Sequence, residues 1–201
     1  MSIVKLNNRS VKDITAFGSI SSLGSLTHIA TQTASSSATV SFTSGIDSTY
    51  KEYIFYFVNM HPATDNTDFR FQANKSGGSG YNETITSSTF QAYHEEGDGS
   101  AVLQYRTDYD QANGTAFQIL GNTCGNANDE SISGYLHIFN PSSTTFVKNF
   151  ISRTNTYYYG DITIDLYSAG YFNETDAIDE FQFKFSSGNI DSGQILLFGL
   201  S

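Results

Sequence analysis

Short runs in which aromatic or aliphatic residues alternate with polar ones recur along this 201-residue chain, and they leave essentially one class of fold open. Phe181, Phe183 and Phe185 alternate with Gln182 and Lys184, Phe69 and Phe71 flank Arg70, and Ala38, Val40 and Phe42 alternate with Ser and Thr. A period of two places one set of side chains on one face of an extended strand, so each run reads as a strand with a dry side and a wet side. "EYIFYFVNM" (Glu52–Met60) is apolar almost throughout and is the best candidate for a central strand. Further strands are expected in "TITSSTFQAYH", "AVLQYR", "TAFQILG", "SGYLHIFN", "TFVKNFISR" and "DITIDLYS".

Gly, Asn, Asp and Ser separate these runs at short intervals, which points to an all-β antiparallel sandwich or barrel. Thirteen Tyr and sixteen Phe favour pleated surfaces. One short helical turn is expected in "ETDAIDEF" (Glu174–Phe181). The closing stretch "FKFSSGNIDSGQILLFGLS" reads as a hairpin, with Gly188, Asn189, Asp191 and Gly193 supplying the turn. Its second arm, Ile195–Phe198, is expected to be buried on both faces. Pro62 and Pro141 follow strand runs, where a missing N–H costs no ladder bond.

Residues 1–26 read differently from residues 27–201. Ile3, Val4, Leu6, Val11, Ile14 and Phe17 are scattered among small polar residues, and Gly18 and Gly24 interrupt any long element. The expectation is an extended N-terminal arm whose apolar residues are assembly contacts, followed by a sandwich body. Charge divides similarly. Residues 1–46 hold Lys5, Arg9 and Lys12 against Asp13, a net +2, which leaves −12 on the remainder of a chain of net charge −10. That balance argues against nucleic-acid binding, which needs clustered Lys and Arg, and it suits copies that must stay soluble side by side. The opening segment is too polar for a secretory signal, and no apolar run is long enough to span a bilayer. Cys124 is the one cysteine, so no internal disulfide is expected and cytosolic folding is the simplest inference.

Motifs that carry chemistry are sparse. His28, His61, His94 and His137 lack zinc-ligand spacing. Glu95–Glu96, Asp108–Asp110, Asp129–Glu130 and Asp179–Glu180 are carboxylate pairs of the kind a glycosidase needs, but they lie among turn residues, where acids are ordinarily solvated. "ATDNTD" (Ala63–Asp68) could offer oxygens to Ca²⁺, though turn hydrogen bonds explain it more cheaply. "NKSGGSG" has Lys75 and Ser76 before its glycines, the wrong order for a phosphate loop, and no GxSxG marks a nucleophile. Sequons at Asn8, Asn82, Asn113 and Asn173 are a chance expectation in so Asn-, Ser- and Thr-rich a chain. No enzyme activity, metal or cofactor is expected. Tyr157, Tyr158 and Tyr159 cannot all point inward on one strand, so an exposed ring is expected there, suited to a glycan or to a neighbouring subunit.

Three stretches together resemble a family of virion structural proteins of tailed bacteriophages, marine and cyanobacterial phages among them: "MSIVKLNNRSVKDITAFGS", "NMHPATDNTDFRFQ" with "YLHIFNPSSTTFVKNF", and "FKFSSGNIDSGQILLFGL". The resemblance implies a jelly-roll-like sandwich without catalytic residues, displayed on the particle as a capsid decoration or tail-fibre module. It implies assembly in the host cytoplasm, docking on capsid, tail or fibre proteins through the arm, and a homo-oligomer. The alternative is a carbohydrate-binding module that attaches the particle to a host-surface glycan.

Overall fold

Period-two alternation becomes strand nearly everywhere it occurs. The computed structural model describes residues 26–200, and these form twelve antiparallel strands and no helix. They are β1 (Leu26–Ser37), β2 (Val40–Phe42), β3 (Glu52–Pro62), β4 (Thr67–Lys75), β5 (Ile85–Glu95), β6 (Ala101–Tyr105), β7 (Gln118–Cys124), β8 (Ile132–Phe139), β9 (Lys148–Tyr158), β10 (Ile162–Phe172), β11 (Ile178–Phe185) and β12 (Ile190–Leu200).

Pairing resolves them into two layers. The large sheet runs β1-β12-β3-β8-β9-β10-β5-β6, and the small sheet runs β2-β11-β4-β7. A single pair, Cys124 with Tyr158, joins β7 to β9 and nearly closes the sandwich on that side. Without two inserted hairpins, β5–β6 and β9–β10, the sheets are β1-β12-β3-β8 and β2-β11-β4-β7, with β1 to β2, β3 to β4, β7 to β8 and β11 to β12 each crossing between layers. That is the strand order of a jelly roll, whose two Greek keys wrap one core. The inserted hairpins widen only the large sheet, so it overhangs the small one.

The core is built of rings. Phe42, Phe69, Phe71, Phe181, Phe183 and Phe185 face inward from the small sheet, and Tyr53, Phe55 and Phe57 from the large one. Burying one such side chain stabilises the fold by about 1.5–3 kcal/mol. Nearer the inserted strands the interior turns polar, and hydroxyls pair locally: Thr154 donates to the Leu120 carbonyl, and Thr89 meets Ser168 at 3.2 Å. Lys148 is fully buried, and its ammonium donates to the carbonyls of Phe146, Glu174 and Thr175 at 2.8, 3.1 and 3.2 Å. Burial pulls its pKa below the ordinary lysine value.

The expected closing hairpin is not formed. β11 pairs with β2 and β4, and β12 with β1 and β3, so the last two strands lie in opposite sheets. β11 presents Phe181, Phe183 and Phe185 to the core from the small sheet, and β12 presents Ile195 and Leu197 from the large one, so the two strands face each other across the core. Residues 186–189 arch between the layers instead. Thr67 Oγ1 meets Ser186 Oγ at 2.7 Å, and Ala63 N donates to the Asn189 carbonyl at 3.0 Å. Gly193 has φ +125°, a value that side chains rarely adopt, at a register shift between β12 and β3. Nor is β12 buried on both faces. Ile195 and Leu197 are buried inward, whereas Leu196 and Phe198 are half-buried, Phe198 against the rings of His28 and Tyr56. The expected helical turn is absent as well: residues 174–177 are irregular, and the carbonyls of Glu174 and Thr175 are held by Lys148 rather than by a following N–H.

Candidate functional site

The two outer faces of the sandwich differ sharply. The small sheet is covered by its own loops. Gln72 Nε2 donates to the carbonyls of Glu83, Thr115 and Ala116, Asn74 bonds to Glu180 and Tyr81, and the Lys184 ammonium sits 3.9 Å from the centre of the Phe117 ring. Among the described residues no loop covers the large sheet in this way. Strand register places Leu196, Tyr56, Tyr135, Arg153, Tyr167, Phe90 and Tyr105 in one row across β12, β3, β8, β9, β10, β5 and β6, all facing outward.

Within that row the rings stand on edge and stack. Phe90 and Tyr167 lie parallel, 4.7 Å between centroids at 4°, and the Arg153 guanidinium is 4.9 Å from the Tyr167 ring. Asp165 fixes Arg153 by two bonds of 3.0 and 2.8 Å, which raise the guanidinium pKa above its ordinary value. Neighbouring rows add Leu103, Ile151 and Val58, and Leu103 is 73% exposed. A shallow groove of about 560 Å³ runs past Phe139, Ile151, Ala169 and Tyr171. The formal charges in the rows from Glu52 to Val58 of β3 are Glu52, Arg153 and Asp165. Arg153 is paired with Asp165, and Glu52 lies 2.9 Å from His137, whose pKa burial lowers.

The three tyrosines Tyr157, Tyr158 and Tyr159 go to three places. Tyr157 faces outward, bonded to Asp161 at 3.3 Å, and its phenol is pushed up to about 12 chiefly by a hydrogen bond with Glu96. Tyr159 is exposed in the β9–β10 turn. Tyr158 turns inward, its ring 4.3 Å from that of Tyr159, and lines a pocket of about 320 Å³ beneath the overhang of the large sheet. Gln91, Tyr93, Gln104, Arg106, Tyr109 and Asn122 share this pocket. Of the expected assembly contacts, Ile3, Val4, Leu6, Val11, Ile14 and Phe17 lie outside the described residues.

Several carboxylates of the pairs are engaged by neighbouring groups. Asp108 is held by Arg106, Asp110 by the Tyr105 hydroxyl, Glu130 by the Ala127 N–H and Glu180 by Asn74. Asp65 bonds the Asn66 N–H, and Asp68 bonds Arg70 and the Thr123 N–H, the turn chemistry that competes with a Ca²⁺ reading of this loop. Among the described residues no three His, Cys, Asp or Glu side chains converge on a metal position. Cys124 is fully buried, and burial pushes its thiol up to about 12.

Sequence reasoning did not find the outward row or the pocket amides. Phe90 carried a signal: it is out of phase with the buried Ile85, Thr89 and Gln91 of its own strand, an apolar ring on the wet side. No family model, no curated protein and no solved structure matches the chain.

Proposed function

We propose that this protein is a non-enzymatic structural component of a virus particle, present in many copies and meeting its neighbours through the outer face of the large sheet. The observation that carries the reading is the row from Tyr56 to Tyr105, which no loop of the described residues covers. Interface cores are enriched in Tyr, Phe and Arg and depleted in Lys and Glu, and large exposed apolar patches mark interaction surfaces. Seven inter-strand steps of ~4.8 Å and about 20 Å along the strands give this face roughly 700 Å². A standard interface takes about 800 Å² from each partner.

Charge favours the same face. Copies of a chain with net charge −10 repel one another, yet here Arg153 is matched by Asp165 and little formal charge remains. A jelly roll serves capsid and lectin proteins alike, so the fold alone does not choose a function. The resemblance to tailed-phage virion proteins chooses particle display, as a capsid decoration or tail-fibre module. In this reading residues 1–26 dock on a capsid, tail or fibre platform, with Ile3, Val4, Leu6, Val11, Ile14 and Phe17 as the apolar contacts.

The test is incorporation. Particles produced with Phe90→Asp and Leu103→Asp together should carry at least about tenfold less of the protein by immunoblot, while the purified variant stays folded, its unfolding midpoint lowered only by the loss of the Phe90–Tyr167 stack, because Leu103 is 73% exposed. Incorporation at the normal level would reject the face as the assembly surface.

A further inference from the structure

The overhang of the large sheet leaves a pocket whose polar lining core packing does not require. The inner faces of β5, β6 and β10 continue past β7, and the segment after β6 folds back beneath them. Arg106 N donates to the Thr89 carbonyl and Gln111 N to Ser87 Oγ, both at 2.9 Å. The cavity between is about 320 Å³, with the amides of Gln91, Gln104 and Asn122 and the rings of Tyr93, Tyr109 and Tyr158 on its walls. Gln91 and Asn122 are 3% and 2% exposed, and neither Gln91 Oε1 nor Asn122 Oδ1 accepts a hydrogen bond from the described residues.

A buried acceptor without a partner is costly, so a ligand that lets either amide turn its oxygen toward a donor is favoured here. Charge narrows the choice. Arg106 is neutralised by two bonds to Asp108 at 2.9 and 2.7 Å and lies 3.8 Å from the centre of the Tyr109 ring. Glu95 is then the remaining formal charge on the wall. A phosphate or carboxylate ligand would bring acceptors to acceptors, and an apolar ligand would leave both amide oxygens unmatched. A hydroxyl both donates and accepts, so it satisfies a side-chain amide in either orientation. A ligand with hydroxyls around its rim and C–H groups on its faces fits amides and tyrosine rings together. The volume sits at the lower end of ligand pockets, about 300–1,000 Å³, and suits one or two sugar rings.

We propose that this pocket binds a sugar ring, with the side-chain amides of Gln91, Asn122 and Gln104 bonding its hydroxyls, and Tyr158 packing against its face. The proposal goes beyond the assembly reading and does not depend on it. Gln91 faces into the sandwich and its neighbour Phe90 faces out, so β5 offers a ligand wall on one side and a subunit contact on the other. The full-length chain is titrated with glucose, galactose, mannose and N-acetylglucosamine, each free and as its β-linked trisaccharide, with glycerol as control, followed by calorimetry and amide chemical shifts. At least one sugar should bind saturably, with shifts confined to the pocket. Gln104→Ala, at a half-buried site where the side chain has no hydrogen bond among the described residues, should weaken binding about tenfold without moving the unfolding midpoint; Asn122→Ser is the second variant. Tighter binding of a trisaccharide identifies a glycan chain as the ligand, and equal binding identifies a free sugar; either supports the site. No response above that of glycerol, or an undiminished response in both variants, overturns it.

Discussion

The ring of Phe55, on β3 of the large sheet, meets the ring of Phe183, on β11 of the small sheet, with 5.1 Å between centroids at 61°. Phe183 also lies against Phe42, Phe57, Phe69 and Phe71, so one side chain sits at the crossing of both layers. Edge-to-face contacts of this kind add to area burial. Phe183→Ala should therefore destabilise the fold by about 3–5 kcal/mol. Urea unfolding should show the midpoint falling with the slope unchanged.

Gly170 is fixed by lack of room. A Cβ there would press on the Thr86 carbonyl, lie 2.8 Å from Ser87 Cβ and lie 2.9 Å from the Phe150 ring. Gly170→Ala should cost about 1–3 kcal/mol through overpacking, and should lower the thermal midpoint while leaving the chain folded at 25 °C.

The His137–Glu52 pair gives a pH dependence with a definite sign. Burial lowers the folded-state pKa of His137 below its ordinary value, against the opposing pull of Glu52. The unfolded chain therefore binds the proton more readily, and stability contributed by neutral His137 is present above about pH 6.5 and lost as pH falls below it. Unfolding free energy measured from pH 7.5 to pH 5 should decline by at most about 1.4 kcal/mol per pH unit from this proton. His137→Gln should flatten that decline.

Cys124 offers a probe of the junction between the sheets. It is buried, its thiol is pushed up to about 12, and its backbone pairs with Tyr158 where β7 meets β9. The thiolate is the reactive form. Native protein should therefore leave an aromatic disulfide reagent unconsumed at pH 8, and unfolded protein should consume one equivalent. Fast native labelling would mean that the β7–β9 junction opens readily.

Local pattern carried much of this fold and little of its surface chemistry. Glu52–Met60 reads as a central strand because it is apolar almost throughout, and β3 does lie between β12 and β8. The same logic misread the chain's end. Gly188 and Asn189 make turn chemistry that serves a hairpin or an arch between sheets equally well, and the long-range pairing of β11 with β2 and β4, and of β12 with β1 and β3, makes it an arch. The row from Tyr56 to Tyr105 draws on six strands scattered along the chain, so its members become neighbours only through register. The tyrosine run was visible, but that Tyr158 alone turns toward Gln91 and Asn122 depends on a β5–β6 hairpin that widens one sheet and not the other.

A reconstruction of the assembled particle at side-chain resolution tests the assembly surface most directly. The account predicts Phe90, Tyr135 and Tyr167 covered by another protein chain, with Arg153 still bound to Asp165 at the centre of the contact. A particle in which those rings face solvent, and the body touches its neighbours only through other surfaces, would contradict it.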